Sequence, residues 1–172
     1  SSLLGKERKN LNRAKLVPWC IVPFDASKRN PEDRAKMLVR LGLKRSAYDW
    51  RSQHVPEFEE EILQYKKHGI EFFAFWNVHE KAFELFQKHK IHPQIWKTLV
   101  SPKSGTEEEK IRSAKDAMIP LAKRTTEIGC KLGLYNHGGW GGEPENLVAV
   151  CKALRAEGLS LIHISEPTRR LC

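Results

Sequence analysis

Among the residues able to do chemistry, His137 has the most suggestive surroundings. It lies in Leu134-Tyr135-Asn136-His137-Gly138-Gly139-Trp140-Gly141-Gly142-Glu143, where a short apolar run gives way to an amide, an imidazole, an indole and four glycines. An imidazole here can donate to a ligand hydroxyl or move a proton near neutral pH; equally, it can be a structural histidine bonded to nearby backbone. Glycines allow left-handed angles or close approach to a ligand. Glu143-Pro144-Glu145-Asn146 then opens a helix. In parallel α/β folds, ligands bind where strands end and helices begin.

The other polar candidates stand at similar junctions. Asp25, Asp49 with Trp50, Trp76 with Asn77 and His79, Ser101, and Asn136 with Trp140 each follow an apolar run. Asp25 and Asp49 could bind polyol hydroxyls, or cap the next helix, or pair with Arg51 or Lys28. Trp76 and Trp140 could stack on a sugar face or pack as rim aromatics. His79 is a further substrate contact to consider, while His68, His89 and His92 read as helix-end or loop histidines.

Positioning these junctions requires alternating strands and helices, and the sequence supplies both signals in turn. Strand composition recurs at 15–24, 44–50, 70–76, 94–100 and 131–135. Helices are expected from Asn30-Pro31 to Gly42, from Pro56 to Gly69, over 80–89, over 107–128 and over 145–156. Interspersed charges such as those from Glu57 to Lys67 predict solvated helix faces. Five βα units in this order imply parallel strands with helical crossovers. No Gly-x-Gly-x-x-Gly follows the first strand and no phosphate-binding Walker loop is present, so the common nucleotide-binding reasons for a doubly wound sheet are missing. Polar and aromatic residues at nearly every strand exit fit a barrel, which assembles its site from many strands.

Composition narrows the class further. The 172 residues, 40% hydrophobic and 30% charged, suit an ordinary folded domain. The net charge of +9 is partly local: Lys6, Arg8, Lys9, Arg13 and Lys15 face only Glu7 in and beside a basic arm over residues 1–14. Without a stacking-aromatic or arginine-rich motif, no nucleic-acid partner is expected. No apolar run reaches the roughly 20 residues of a membrane span, so no membrane partner is expected either. Cys20, Cys130, Cys151 and Cys172 are too far apart for a Cys-x-x-Cys unit. A reduced, cytoplasmic setting is expected, with an upstream leader left open.

The runs Trp19-Cys20-Ile21-Val22-Pro23-Phe24-Asp25, Tyr48-Asp49-Trp50-Arg51, Ala74-Phe75-Trp76 and Leu134 to Trp140 resemble the sugar phosphate isomerase/epimerase family, the xylose isomerase-like TIM barrels. The resemblance covers Leu16 to about Gly158 and implies an α/β fold, a partial (β/α)8 barrel of about five units in residues 15–158. It implies interconversion of sugars by proton transfer next to a carbonyl, with a small sugar or sugar phosphate as partner. On this basis His137 is the catalytic candidate, and Asp25, Asp49, Trp76, His79, Asn136 and Trp140 are the substrate-binding ones.

Such relatives typically hold a divalent metal, manganese, magnesium or a similar ion, on acids and a histidine from strand exits five to eight. Many read Glu-Asn-His where this chain reads Tyr135-Asn136-His137, and a neutral phenol is a poor ligand for a hard cation. The metal residues are thus left unassigned. Two alternatives follow: a non-catalytic sugar-binding barrel, or an endonuclease IV-like phosphodiesterase, which would need early histidine and acidic ligands.

Residues 159–172 resemble a translated transposase sequencing adapter, Leu159-Ser160-Leu161-Ile162-His163-Ile164-Ser165-Glu166-Pro167-Thr168-Arg169, and are expected to be a non-native tail. The competing expectation is a sixth strand through Leu161, Ile162 and Ile164. Since a complete barrel takes about 250 residues, the chain is expected to be truncated and to lack isomerase activity as written.

Overall fold

The structure, a computed structural model, describes residues 13–159 and the backbone of residues 163–164. All but the last two residues of the basic arm and nearly all of the expected tail therefore lie outside the described residues. The described residues fall into two compact units that divide between Pro93 and Gln94.

In the first unit, helix α1 (Pro31–Arg40) starts where the sequence predicts. Asn30 accepts a hydrogen bond from the Asp33 amide at 2.9 Å, Pro31 fills a position whose N–H needs no partner, and Glu32 and Asp33 complement the helix dipole. Strand β1 (Arg45–Tyr48) follows, then a 3-10 turn (Ser52–Glu57) containing Pro56, helix α2 (Phe58–Lys67), strand β2 (Glu71–Trp76) and helix α3 (Glu80–His89). β1 and β2 are parallel, with Arg45 opposite Glu71 and Tyr48 opposite Phe75 and an irregularity between Ser46 and Ala47. Ala35, Leu38, Tyr65 and Ile70 form one core cluster, and Tyr48, Phe58, Phe75 and Phe86 make an aromatic one.

Two expectations for this unit are corrected. The run from Lys15 to Phe24 is not a strand: Lys15 ends a short 3-10 turn (Arg13–Lys15), residues 16–19 are irregular and 21–24 turn. Pro18 and Pro23 have no N–H for a ladder, and Cys20 takes a left-handed φ of 58°. One hydrogen bond, from the Ala47 amide to the Pro18 carbonyl at 2.9 Å, keeps the segment beside β1. The first βα unit thus keeps its place and its helix α1 but has no regular strand. The charges of α2 are not all solvated either, because Glu61 is fully buried, whereas the apolar Leu63 is exposed.

In the second unit, strand β3 (Gln94–Thr98) leads to helix α4 (Glu107–Glu127), strand β4 (Lys131–Tyr135), a 3-10 turn (Trp140–Gly142), helix α5 (Pro144–Ala156) and strand β5 (His163–Ile164). Thr106 and Glu109 cap α4 reciprocally. β3 pairs in parallel with β4, from Gln94 opposite Lys131 to Thr98 opposite Tyr135, and β4 pairs in parallel with β5 at Gly133 and Leu134. Leu132 and Leu134 meet Met118 and Ala122 of α4 and Leu147, Val150 and Leu154 of α5 in one buried cluster. Pairing of β5 occupies the place of a next strand.

Candidate functional site

The exit of β4 is built by close packing onto the segment after β3. The Leu99 amide donates to the Tyr135 carbonyl at 3.0 Å, which extends the ladder by one residue. Three residues later the chain bends at Gly138 and Gly139, at φ 71° and 63°. The Gly141 amide then donates to Ser101 Oγ at 2.9 Å. A Cβ on Gly141 would lie 2.7 Å from the Leu99 carbonyl oxygen and 2.8 Å from that of Val100. Glycine is demanded there by backbone against backbone, so that part of the loop serves the fold.

The polar candidates of this loop divide accordingly. Trp140 is held, its Nε1 donating to Glu107 Oε2 at 2.7 Å while its carbonyl accepts from Asn146 Nδ2 at 2.8 Å. Asn136 is half-buried. His137 is exposed, its ring 6.2 Å from that of Tyr135, and the ring has no hydrogen-bond partner among the described residues. Of its two expected roles, the accessible one is thus structurally permitted.

In the first unit, both aspartates serve the scaffold. Asp25 accepts from the Ser27 and Arg29 amides at 3.0 and 2.9 Å and from the Arg29 guanidinium at 2.6 Å. Burial pushes its carboxyl upward, but these hydrogen bonds and the guanidinium charge outweigh it and hold the carboxyl below the usual range. Its partner is Arg29, neither Arg51 nor Lys28. Asp49 is buried and accepts from Arg51 at 2.8 Å, the pairing expected as one alternative, and from Cys20 Sγ at 3.4 Å. Burial first, and then Asp49, push the Cys20 thiol up to about 11, which leaves it a poor nucleophile.

Aromatic rings crowd the exits of β1 and β2. Trp19 lies 5.3 Å from Trp76, and Trp50 Nε1 donates to the Trp76 carbonyl at 2.6 Å. Trp50 stacks on Phe75, and His79 meets both Trp50 and Phe58 edge to face. His79 also caps α3, its Nδ1 accepting from the Lys81 amide at 3.2 Å. It therefore positions a helix. Half-buried Trp76 and the exposed Trp19 packed beside it present the aromatic surface here.

A metal does not fit what these residues offer. Among the described residues, no three of His, Cys, Asp and Glu converge. Tyr135 stands at the β4 exit, and Asp25 and Asp49 are tied to arginines.

Sequence reasoning missed a cleft of about 450 Å³ in the first unit, lined in part by Lys28, Arg34, His54 and Glu57. Arg34 is buried and holds Glu61 at 2.7 Å and Glu57 at 2.9 Å, with a third hydrogen bond to the Arg29 carbonyl. Burial opposes its charge, but the bonds with Glu61 more than offset that and raise its pKa. A signal existed: Arg34 neighbours Ala35 and Leu38 on α1, and Glu61 sits within the Phe58, Ile62 and Tyr65 stripe of α2, so both charges fall on apolar faces.

No protein-family model matches the sequence, and no curated protein matches it. Among solved structures, D-psicose 3-epimerase, crystallised in the presence of D-fructose, is similar in fold, with a TM-score of 0.60 at 11% sequence identity. The match covers 86% of this chain, which spans 61% of the epimerase. At that identity the likeness speaks for architecture, and the architecture it gives this chain is an α/β fold corresponding to a partial (β/α)8 barrel.

Proposed function

We propose that this chain is part of a barrel that takes a small sugar or sugar phosphate at its strand exits, and that the whole protein is an isomerase or epimerase acting next to a carbonyl. The observation that carries this is the fold shared with D-psicose 3-epimerase. In the first unit half-buried Trp76 offers a face for a sugar ring; in the second, taken by itself, exposed His137 with Asn136 offers donors for hydroxyls.

Moving a proton next to a carbonyl needs a positioned acid and base. Asp25 and Asp49 are spent on arginine and backbone donors, so His137 is the candidate left with an accessible titratable group. Asn136 and His137 offer hydrogen bonds to a sugar, and a complete acid and base pair requires further groups. Tyr135, where an acid is expected, favours a second reading in which the barrel binds sugars without turning them over.

Titration calorimetry with a free ketohexose and with its phosphate tests the binding half. Deuterium uptake next to the carbonyl in heavy water, followed by proton NMR, tests the chemistry. Binding without exchange is expected of this chain; absence of both heats would remove the sugar proposal. Exchange would overturn the reading that this chain lacks a complete acid and base pair.

A further inference from the structure

The cleft beside α1 takes in one of the strand-exit candidates, Asp25, but neither Trp76 nor His137. Its walls are the segment from Val22 to Arg29 and the 3-10 turn from Ser52 to Glu57. The character of a ligand follows from what remains after internal pairing is subtracted. Asp25 is occupied by three donors from Ser27 and Arg29. One Glu57 oxygen is taken by Arg34, and the Arg34 guanidinium is itself committed to Glu57, Glu61 and the Arg29 carbonyl.

The remaining groups are mostly donors. Lys28 forms no ion pair among the described residues, and it is exposed. Its backbone is fixed by the bond from its amide to the Asp25 carbonyl at 2.9 Å, at a left-handed φ of 45°. His54 Nδ1 accepts from the Arg51 amide at 2.9 Å, so a neutral ring carries its proton on Nε2. Burial keeps the ring neutral by lowering its pKa, Glu57 opposing this and Arg34 and Arg51 adding to it. The Tyr48 hydroxyl of β1 is buried with no hydrogen-bond partner among the described residues. It feels the charges of Glu61, Arg34 and Glu57.

We propose that this cleft is an oxyanion site, taking the phosphate or carboxylate group of a small metabolite through Lys28 Nζ, with His54 Nε2–H and the unused Arg29 N–H groups as further donors. One mobile ammonium beside fixed neutral and guanidinium donors is chemistry that recognises such a group. The paired acids around it keep the site's net charge low, which selects small anions over polyanionic chains. This inference does not depend on sugar binding at the strand exits.

The test is calorimetry of the full chain with inorganic phosphate, fructose 6-phosphate and fructose, on the wild type and on Lys28→Gly, His54→Phe and Trp76→Ala. Glycine suits φ 45°, so Lys28→Gly removes the ammonium without straining the fold. Phosphate should bind with one-to-one stoichiometry, roughly tenfold more weakly in Lys28→Gly, as for one charge-assisted hydrogen bond. His54→Phe should also weaken it, and Trp76→Ala should leave it unchanged. No heat with millimolar phosphate, or equal affinity in wild type and Lys28→Gly, overturns the inference. Fructose binding lost only in Trp76→Ala, without phosphate binding, would overturn it and leave the sugar proposal standing. Phosphate binding lost in Lys28→Gly, without fructose binding, would support it and remove the sugar proposal.

Discussion

Replacing Glu61 by leucine leaves a guanidinium in the core without its main counter-charge. The Arg34 side chain is 3% exposed and that of Glu61 0%. Arg34 Nε lies 3.2 and 3.1 Å from the two Glu61 oxygens, and its terminal nitrogen lies 2.7 Å from one of them. Removing one partner of such a pair costs about 3–5 kcal/mol. The Glu57 bond at 2.9 Å and the Arg29 carbonyl survive the substitution, which places Glu61→Leu near the lower end, at about 3 kcal/mol. For a chain of this size that lowers Tm by about 6–12 °C. The double variant Arg34→Met/Glu61→Leu replaces both charges with apolar groups and should recover to within about 1 kcal/mol of the wild type. Urea unfolding of the four proteins in a double-mutant cycle measures the coupling. Two probes, far-ultraviolet circular dichroism and tryptophan fluorescence, check whether unfolding is a single transition. A Glu61→Leu protein within about 1 kcal/mol of the wild type, or a double variant no better than the single one, would refute the reasoning.

Gly141→Ala should lose about 1–3 kcal/mol, since its Cβ meets two backbone oxygens under 3 Å away, whereas Gly142→Ala, whose nearest contact is 3.7 Å, should lose much less; urea midpoints compare them. Asp25 has its folded pKa depressed, so its contribution is fully present above the ordinary aspartate pKa and disappears as pH falls through the folded value. The Tm gap between wild type and Asp25→Asn should therefore be constant above about pH 5 and shrink below about pH 4; a gap independent of pH would contradict this. His137→Ala should change stability by no more than about 0.5 kcal/mol, because the ring is exposed, while weakening ketohexose binding by calorimetry.

The helices were legible because local rules set their ends. Asn30-Pro31, Thr106 with Glu109, and the glycines at 42, 69 and 129 are capping signals that act within a few residues. β2, β3 and β4 were legible as apolar runs between those caps. The run before Asp25 was not. Its composition is that of a strand, but ladder pairing depends on donors that Pro18 and Pro23 lack and on a φ that Cys20 does not keep.

What the sequence by itself determined is the alternation of strands and helices and the presence of polar and aromatic residues at their junctions, since both depend on short-range spacing. Only the tertiary structure decided which of those residues are available. Asp25 and Asp49 are consumed by Arg29 and Arg51, His79 by a helix cap, and Trp140 by Glu107, while His137 stays exposed. Gly141 is fixed by Leu99 and Val100, some 40 residues earlier in the chain. The charged cleft, too, arose only when Arg34 met Glu61 across 27 residues. A side chain's hydrogen-bonding capacity is finite, and which partner uses it is settled by contacts that spacing along the chain does not encode.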